Sequence, residues 1–453
     1  MKLIYGVKDK PKFGQLIVFA LQQLLAILAA TIAVPAIIGN GMSQSAALFG
    51  AGVGTIVYLL FTKFKSPVFL GSSFAFLGSM SAAFAGGVSA SVGYLGLIIG
   101  AAFAALVYVI IALIVKFAGV RWITKLMPAV VIGPTVAIIG LSLAGNAVGD
   151  AISGAKNASG AFAMDAHSIA CLVCALITLA VVTLCSVYGK KMMKLIPFVI
   201  GILAGYAAAA IFTGIGTAAD IEAFKIIDFS KFSNMQWYPD FTFVKAFSGN
   251  YDFADGNIGT YIGTIAVAYI PVAFVVFAEH IADHKNLSSI IEQDLLENPG
   301  LHRTLLGDGV GSFVGALFGG CPNTTYGESV GCVAITGNAS VMTIFTTAIL
   351  AMLISFFAPF VTFLSTIPSC VMGGVCITLY GFIAVSGLKM LQNVDLGDNR
   401  NLFVASTILI TGVGGMALGF GKITLTSVAT ALILGILVNL MLNGKKNKAG
   451  KAE

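Results

Sequence analysis

Two acidic residues stand in long apolar stretches where other charges are absent. Glu328 is the one charged residue in 309–388, and Glu279 follows an uncharged run over 256–278. A carboxylate inside a bilayer is costly unless it is protonated, paired or bound to a ligand. Each glutamate is therefore a candidate functional residue. The alternative is that each one caps a helix N-terminus, where the helix dipole favours negative charge.

The string EHIADH, which begins at Glu279, offers a second kind of chemistry. His280 and His284 lie four residues apart and share one face of a helix, as do Glu279 and Asp283, so the segment could bind a metal ion. The string lacks the HExxH pattern of zinc proteases, and no third His or Cys occupies a comparable position. We therefore expect no metal here, and a membrane metalloenzyme remains an alternative.

The composition identifies an integral membrane protein. Of the 453 residues, 58% are apolar and 10% are charged. The charge-free runs 13–62, 66–115 and 329–388 each exceed the ~20 residues that cross a bilayer as a helix. The apolar run after the basic N-terminus is too long for a signal peptide, which predicts an uncleaved first helix. The net charge of +6 lies in short loops that orient the chain, so no nucleic acid is expected as a partner.

The cysteines carry no signature of a disulfide framework or a metal site. They are odd in number and all fall in apolar spans, so we expect buried thiols and no cofactor. The seven are Cys171, Cys174, Cys185, Cys321, Cys332, Cys370 and Cys376.

Charged and turn residues divide the chain into fourteen predicted membrane spans. No linker or low-complexity tract separates them, so 1–445 is expected to form one transmembrane domain, followed by a basic cytoplasmic tail over 446–453. The predicted spans are about 14–34, 46–62, 67–84, 92–116, 125–146, 168–188, 195–216, 260–285, 303–320, 323–337, 340–365, 368–388, 402–419 and 423–442.

Alternate loops are rich in Lys and Arg, which predicts that both termini face the cytoplasm. The loops of opposite parity are short or acidic, and the longest, about 217–257, contains many aromatic residues. We expect that loop at the outer interface with its aromatics as anchors, although they could also form a binding surface. The basic loops contain Lys63 and Lys65, Lys116, Arg121 and Lys125, Lys190, Lys191 and Lys194, Lys285 and Arg303, and Lys389 and Arg400.

The third and tenth predicted spans do not resemble regular helices. SPVFLGSSFAFLGS (66–79) and CPNTTYGESVG (321–331) both begin with Pro, Gly, Ser, Thr and aromatic residues, which favour extended or broken backbone. Broken backbone at membrane depth must be enclosed by protein or line a cavity. Each of these spans is therefore expected to be broken and to carry a short extended segment.

The two interrupted spans also predict an inverted repeat. By loop parity the third runs outward and the tenth inward, and each has its irregular half first. Gln23 and Glu279 are 256 residues apart, while Phe74 and Glu328 are 254 apart. Paired interrupted segments at corresponding positions indicate a transporter's substrate site near the bilayer midplane. We expect two inverted halves of seven spans, at about 13–217 and 258–443.

The stretches PNTTYGESVGCVAIT, AEHIADHKNLSSIIEQDLLENPGLHRTLLGDG and LGSSFAF resemble the nucleobase-ascorbate transporter family, specifically its bacterial uracil permease branch. The likeness covers nearly the whole chain. It implies an all-α polytopic membrane protein in which a core domain (spans 1 to 4 and 8 to 11) moves against a gate domain (5 to 7 and 12 to 14), often as a homodimer. It also implies a transporter and not an enzyme, located among the lipids of the bacterial plasma (inner) membrane, which imports uracil by symport with H⁺.

The resemblance also implies the residues that bind substrate. Glu279 and Glu328 match the two glutamates that contact uracil, and Phe74 and Gly327 match positions whose main-chain groups do so. Two tyrosines match positions in the pocket wall, namely Tyr326 and Tyr380.

One departure from the compared permease concerns the proton. That permease has a histidine four residues after the first glutamate, whereas this chain has Asp283 there and His284 next. The resemblance therefore implies that the proton-coupling group is Glu279, Asp283 or His284.

The chemistry of uracil agrees with such a site. The ring has two N–H donors and two carbonyl acceptors, so two carboxyl groups can accept from the donors while backbone N–H groups at a broken helix donate to a carbonyl. A xanthine or other purine permease and Na⁺ coupling remain alternatives. A further alternative is an anion exchanger or channel, but it should place a cation at the helix N-termini, where this chain places Glu328.

Overall fold

The computed structural model describes residues 3–119, 122, 126–157, 159–190, 192–254, 257–392, 394–420 and 423–443. The predicted basic tail over 446–453 and the loop residues Arg121, Lys125 and Lys191 lie outside these described residues. Within them, eight helices are long and apolar enough to cross a membrane, or nine if a bent pair counts as one span. The chain is therefore a mainly helical, multi-pass membrane protein.

The helices of the first half of the chain coincide with the predicted spans to within a few residues at most ends. The predicted third span begins as a strand, β1 (Leu70–Ser72), and a 3₁₀ turn at Phe74–Phe76 leads into its helix. The helices are α1 (Phe13–Ile38), α2 (Gln44–Phe61), α3 (Leu77–Ala83), α4 (Ala90–Ala118), α5 (Ala129–Ser142), α6 (Ala144–Ile152), α7 (Ala166–Tyr188), α8 (Met192–Leu195) and α9 (Pro197–Ala218).

The second half begins after a long loop that carries 3₁₀ turns at Glu222–Phe224 and Phe229–Asn234. Its short strands are β2 (Asn323–Thr325), β3 (Leu418–Phe420) and β4 (Ile423–Leu425), with β3 antiparallel to β4. The helices are α10 (Thr242–Phe247), α11 (Ile258–Ile291), α12 (Leu301–Gly319), α13 (Gly327–Thr336), α14 (Val341–Ile354), α15 (Ala358–Thr366), α16 (Ser369–Lys389), α17 (Asn399–Val413) and α18 (Ser427–Asn443).

Some elements differ from the predicted spans for physical reasons. Predicted span 8 (260–285) is only part of the 34-residue helix α11, because the charge at Lys285 marks the edge of the apolar run and not the end of the helix. Predicted span 11 (340–365) is divided into α14 and α15, which meet at an angle of 82°. Pro359 lies in the first turn of α15, where its missing N–H costs no helical hydrogen bond. Predicted span 14 (423–442) begins with strand β4, so its helix starts at Ser427.

The long helices fall into two packing groups. In the first, α1, α2, α4, α11, α12 and α14 contact mainly one another; in the second, α5, α7, α9, α16, α17 and α18 do so. Contacts of α11 with α5 and α18, and of α1 with α9 and α16, join the two groups.

Glycines allow α2 and α12 to pack backbone against backbone. A methyl group at Gly50 would lie 2.3 Å from the carbonyl oxygen of Gly315, and one at Gly54 would lie 2.6 Å from that of Gly311. Small residues of this kind let membrane helices approach closely. The buried Asn323 side chain donates to the Gly50 carbonyl oxygen at 3.2 Å, so the same contact supports strand β2.

We predict that Gly50→Ala destabilises the protein, because the two backbones must separate to admit the methyl group. Overpacking of this kind costs about 1–3 kcal/mol. Gly145→Ala on α6 is the matched control, because an added methyl there meets no atom within 4 Å. The thermal unfolding midpoint in detergent should fall for Gly50→Ala and should not fall for Gly145→Ala. Equal midpoints would contradict the close contact of α2 and α12.

Candidate substrate-binding site

The site is built on a strand pair in the interior of the protein. Strand β1 runs antiparallel to β2, with Leu70 opposite Thr325 and Ser72 opposite Asn323. At one end the Ser73 N–H donates to the carbonyl oxygen of Pro322 at 2.9 Å. All six strand residues are buried. Extended backbone can lie in this environment because each strand pairs with the N–H and C=O groups of the other that face it, while side chains pair with groups that face away: the Thr55 hydroxyl bonds the N–H and C=O of Leu70.

A helix begins immediately after each strand. The 3₁₀ turn at Phe74–Phe76 follows β1 and leads into α3, and α13 begins at Gly327 after β2. The first N–H groups of a helix have no partner within the helix. The pairing of β1 with β2 therefore places two sets of unpaired backbone donors near each other.

Both helix starts line one cavity of about 370 Å³. The cavity lies between the two packing groups, because its wall includes residues of α5, α9 and α16 as well as of α11 and α13. Five of the predicted substrate-binding residues line it: Phe74, Glu279, Tyr326, Gly327 and Glu328. The opposite wall is mainly apolar and includes Val136, Ile139, Phe198, Leu379, Phe382, Ile383 and Met390.

Three carboxyl groups converge on this cavity. Glu279 and Asp283 lie one turn apart on α11, and Glu328 lies in the first turn of α13. Thr325 at the end of β2 donates its hydroxyl hydrogen to Asp283 Oδ2 at 2.8 Å. The ion pairs found among the described residues do not include these three carboxyl groups. The arrangement can accept several hydrogen bonds from a small polar ligand.

The two predicted wall tyrosines occupy different positions. Tyr326 is buried at the edge of the cavity, and its hydroxyl donates to the Ser72 carbonyl oxygen at 2.8 Å. Its ring lies directly over Gly71, where a methyl group would come within 2.3 Å of the ring. Tyr380 does not line the cavity, but its ring lies 5.9 Å from that of Phe74. Tyr380 therefore packs against the cavity residue Phe74 from outside the cavity, whereas Tyr326 joins the two strands through its hydrogen bond to Ser72.

The two histidines of EHIADH point away from the cavity. His284 Nε2 lies 2.7 Å from the Tyr58 hydroxyl, and His280 Nδ1 lies 2.7 Å from Asp308 Oδ2. The two rings stack with centroids 4.0 Å apart, and both are buried. This cluster joins α11 to α2 and α12. The structure thus separates Asp283, which lines the cavity, from its neighbour His284, and it shows no group of three or more possible metal ligands among the described residues.

Asp308 and Ser329 make buried contacts beside the site but are not among the residues that the sequence predicted. Asp308 is the one charged residue between Arg303 and Glu328, so the same isolation that marked Glu328 could have identified it. Ser329 gave no comparable signal. Its buried hydroxyl accepts hydrogen bonds from the side chain of Gln23 and from the Phe69 N–H, the latter at 3.0 Å. Ser329 therefore ties α1 and the segment before β1 to the start of α13.

The chain is similar to known permeases over nearly its whole length. A profile described as a permease family (Xan_ur_permease) matches residues 14–419. The chain is 40% identical over 454 residues to the uracil permease of Bacillus caldolyticus, which covers 99% of this chain and 96% of that protein. It is 38% identical over 460 residues to the uracil permease of Bacillus subtilis (100% and 98%) and 34% identical over 438 residues to that of Escherichia coli (96% and 93%).

Solved structures of the same fold come from distant sequences. The transmembrane domain of a cyanobacterial bicarbonate transporter, BicA, aligns with a TM-score of 0.62 at 15% identity and covers 96% of this chain and 99% of that domain. The murine anion transporter Slc26a9 in its inward-facing state aligns with a TM-score of 0.63 at 12% identity, over 97% of this chain and 69% of that one. At these identities the likeness concerns the fold alone.

We predict that Ser329→Ala destabilises the site, because it removes the acceptor of the Gln23 side chain and the Phe69 N–H. Leaving a buried donor unpaired costs about 1–3 kcal/mol. Ser81→Ala is the matched control, because Ser81 lies on the exposed side of α3. The thermal unfolding midpoint should fall for Ser329→Ala and stay near the wild-type value for Ser81→Ala. An unchanged midpoint for Ser329→Ala would show that these hydrogen bonds are dispensable.

Proposed function

Because the chain belongs to the nucleobase-ascorbate transporter family, we propose that it imports uracil with a proton across the bacterial plasma membrane by alternating access. The observation that carries this proposal is the cavity between the two packing groups. One wall combines three carboxyl groups with two helix N-termini, and the other is apolar. The relatives are named uracil permeases, which indicates uracil as the substrate. The cavity contains groups that can form hydrogen bonds with uracil.

Uracil fits this arrangement by its pattern of donors and acceptors. Glu279 and Glu328 accept hydrogen bonds from the two ring N–H groups, and the N–H groups at the start of α13 and of the 3₁₀ turn donate to the ring carbonyls. Phe74 and the apolar wall cover the faces of the ring. Tyr380 supports Phe74 from behind and does not touch the substrate in this arrangement.

The proposal includes fourteen spans arranged as two inverted halves. Its support is the repeated order of strand and helix: β1 precedes α3 as β2 precedes α13, in segments that are 254 residues apart measured from Phe74 to Glu328. Antiparallel pairing of β1 with β2 is what two oppositely oriented repeats require at their meeting point. In this interpretation the third and tenth spans are broken spans.

The first packing group is the proposed core domain and the second is the gate domain. Both walls of the cavity would then move relative to each other as the site changes its exposure. The described state opens to the cytoplasm in this proposal, because Phe198 and Met390 line the cavity and lie close in sequence to the basic residues Lys194 and Lys389.

Asp283 is the proposed proton-coupling residue, together with Glu279. Asp283 lines the cavity and accepts a hydrogen bond from Thr325, so its protonation can respond directly to a bound ligand. His284 was an equal candidate on the sequence alone. Its contacts with Tyr58 and with the His280 carbonyl oxygen support a role in packing.

We predict that Glu328→Gln weakens uracil binding by about ten- to a hundredfold, since hydrogen bonds to charged groups contribute about 1.5–3 kcal/mol. Calorimetry on purified protein measures the affinity, with xanthine as competitor. Glu297→Gln, at an exposed position in the π-helical turn Leu296–Gly300, is the matched control and should bind uracil like the wild type. Wild-type affinity in Glu328→Gln would refute the assigned site, and stronger binding of xanthine than of uracil would favour a purine permease.

We also predict that Asp283→Asn reduces uracil accumulation driven by a pH gradient at least tenfold more than it reduces binding, because the amide cannot carry a proton. Vesicles with imposed pH or sodium gradients and radiolabelled uracil provide the measurement. The His284→Gln protein that folds should still accumulate uracil in response to a pH gradient. Undiminished accumulation in Asp283→Asn would move the coupling role to Glu279, and a response to sodium alone would exclude proton symport.

A further inference from the structure

The residues before the first helix form an arm that folds back against the protein. This arm, residues 3–9, turns where the Gly6 N–H donates to Asp9 Oδ2 at 2.7 Å. It lies beside the first turns of α1, because the Tyr5 hydroxyl donates to Gln15 Oε1 at 2.6 Å. Val7 is buried and belongs to the same apolar cluster as Val333 of α13. The arm is therefore part of the packed structure.

The arm pairs with the linker that follows α13. The Ile4 N–H donates to the carbonyl oxygen of Gly337 at 2.7 Å. In return, Tyr5 accepts from the Ala339 N–H at 2.9 Å and Val7 accepts from the Val341 N–H at 3.1 Å. Further contacts come from the Tyr5 N–H, which donates to Gly337 O at 3.2 Å, and from the Ser340 hydroxyl, which donates to Asp9 O at 2.6 Å.

The start of α13 is held by α1, the helix that follows the arm in the chain. Gln23 of α1 donates to the hydroxyl of Ser329, next to Glu328. The ten-residue helix α13 therefore contacts α1 at its start and the arm at Gly337, which directly follows its last residue. The arm and α1 are consecutive in the chain. From Ser329 to Gly337 helix α13 rises by about 12 Å, and from Phe13 to Gln23 helix α1 rises by about 15 Å, so the arm and α1 together are long enough to contact both ends of α13.

We propose that the arm is a positioning element for the substrate site: it fixes α13 along its axis and thereby sets the height of Glu328 in the cavity. The inference rests on the proposed role of Glu328 in uracil binding. Helix α13 has only ten residues and follows a strand of three, so its neighbours in the chain do little to fix its position. A contact at only one end would let α13 shift or tilt, and displacements near 1 Å at a binding group are costly.

The test is a variant whose arm cannot dock. Ile4→Pro removes the N–H that donates to Gly337, and Val7→Asp places a charge where Val7 is 6% exposed. Neither residue lines the cavity. In the double variant, peptides that cover 327–341 should exchange backbone hydrogen faster, while peptides of α5 and α16 keep their wild-type rates. Uracil affinity should fall about tenfold.

The matched control is Lys8→Ala with Lys10→Ala, because Lys8 is on the arm, Lys10 directly follows it, and both side chains are exposed. The control should exchange and bind like the wild type. Ile4→Pro alone, which removes one backbone donor at the surface, should change both readouts in the same direction by less, and it provides the test if the double variant does not fold.

The readouts separate this inference from the proposed function. Unchanged exchange over 327–341 overturns the positioning role, as does a uniform increase in exchange across the protein, which would indicate a general loss of stability. Faster exchange over 327–341 with unchanged uracil affinity overturns the link to Glu328. If the wild-type protein binds no uracil, the proposed substrate is wrong, and the exchange data still decide whether the arm holds α13.

Discussion

The antiparallel pairing of β1 with β2 is the interaction on which the rest of the structure depends. In a membrane interior, each unpaired backbone N–H or C=O costs several kcal/mol, so a three-residue strand can lie there only when a partner satisfies it. Each strand provides that partner for the groups that face it, and the side chains of Thr55 and Tyr326 do so for groups that face away. Because a helix starts directly after each strand, satisfying the backbone also brings two helix N-termini to one cavity. The support of the fold and the geometry of the site therefore have the same origin.

The surroundings of the strand pair are adapted to keep it in place. Gly71 leaves room for the ring of Tyr326, whose hydroxyl bonds back to Ser72. Beneath it, the glycines of α2 and α12 allow backbone contact, and Asn323 reaches across to the Gly50 carbonyl oxygen. Other side chains pair with backbone groups at this place: the Thr55 hydroxyl accepts from the Leu70 N–H at 2.9 Å, and the Ser329 hydroxyl accepts from the Phe69 N–H at 3.0 Å.

Helix α11 has two polar faces with different roles in the architecture. Glu279 and Asp283 line the cavity, while His280 and His284 make buried contacts with Asp308 and Tyr58. Successive residues diverge in this way because a helix advances about 100° per residue. The packing of the histidines against α12 and α2 fixes the rotation of α11, and this rotation directs the two carboxyl groups into the cavity.

The sequence alone determined the membrane character of the chain and most of its long helices, and it singled out Glu279 and Glu328, which line one cavity in the structure, because apolar length and isolated charge are local properties. It also identified 66–79 and 321–331 as irregular. Only the tertiary structure decided that these segments pair with each other, that Asp283 faces the cavity and His284 does not, and that Tyr380 stands behind Phe74. It also revealed the 82° bend between α14 and α15 and the docking of the arm on α13. These features depend on contacts between residues far apart in the chain and on helix rotation, which residue type and spacing do not encode.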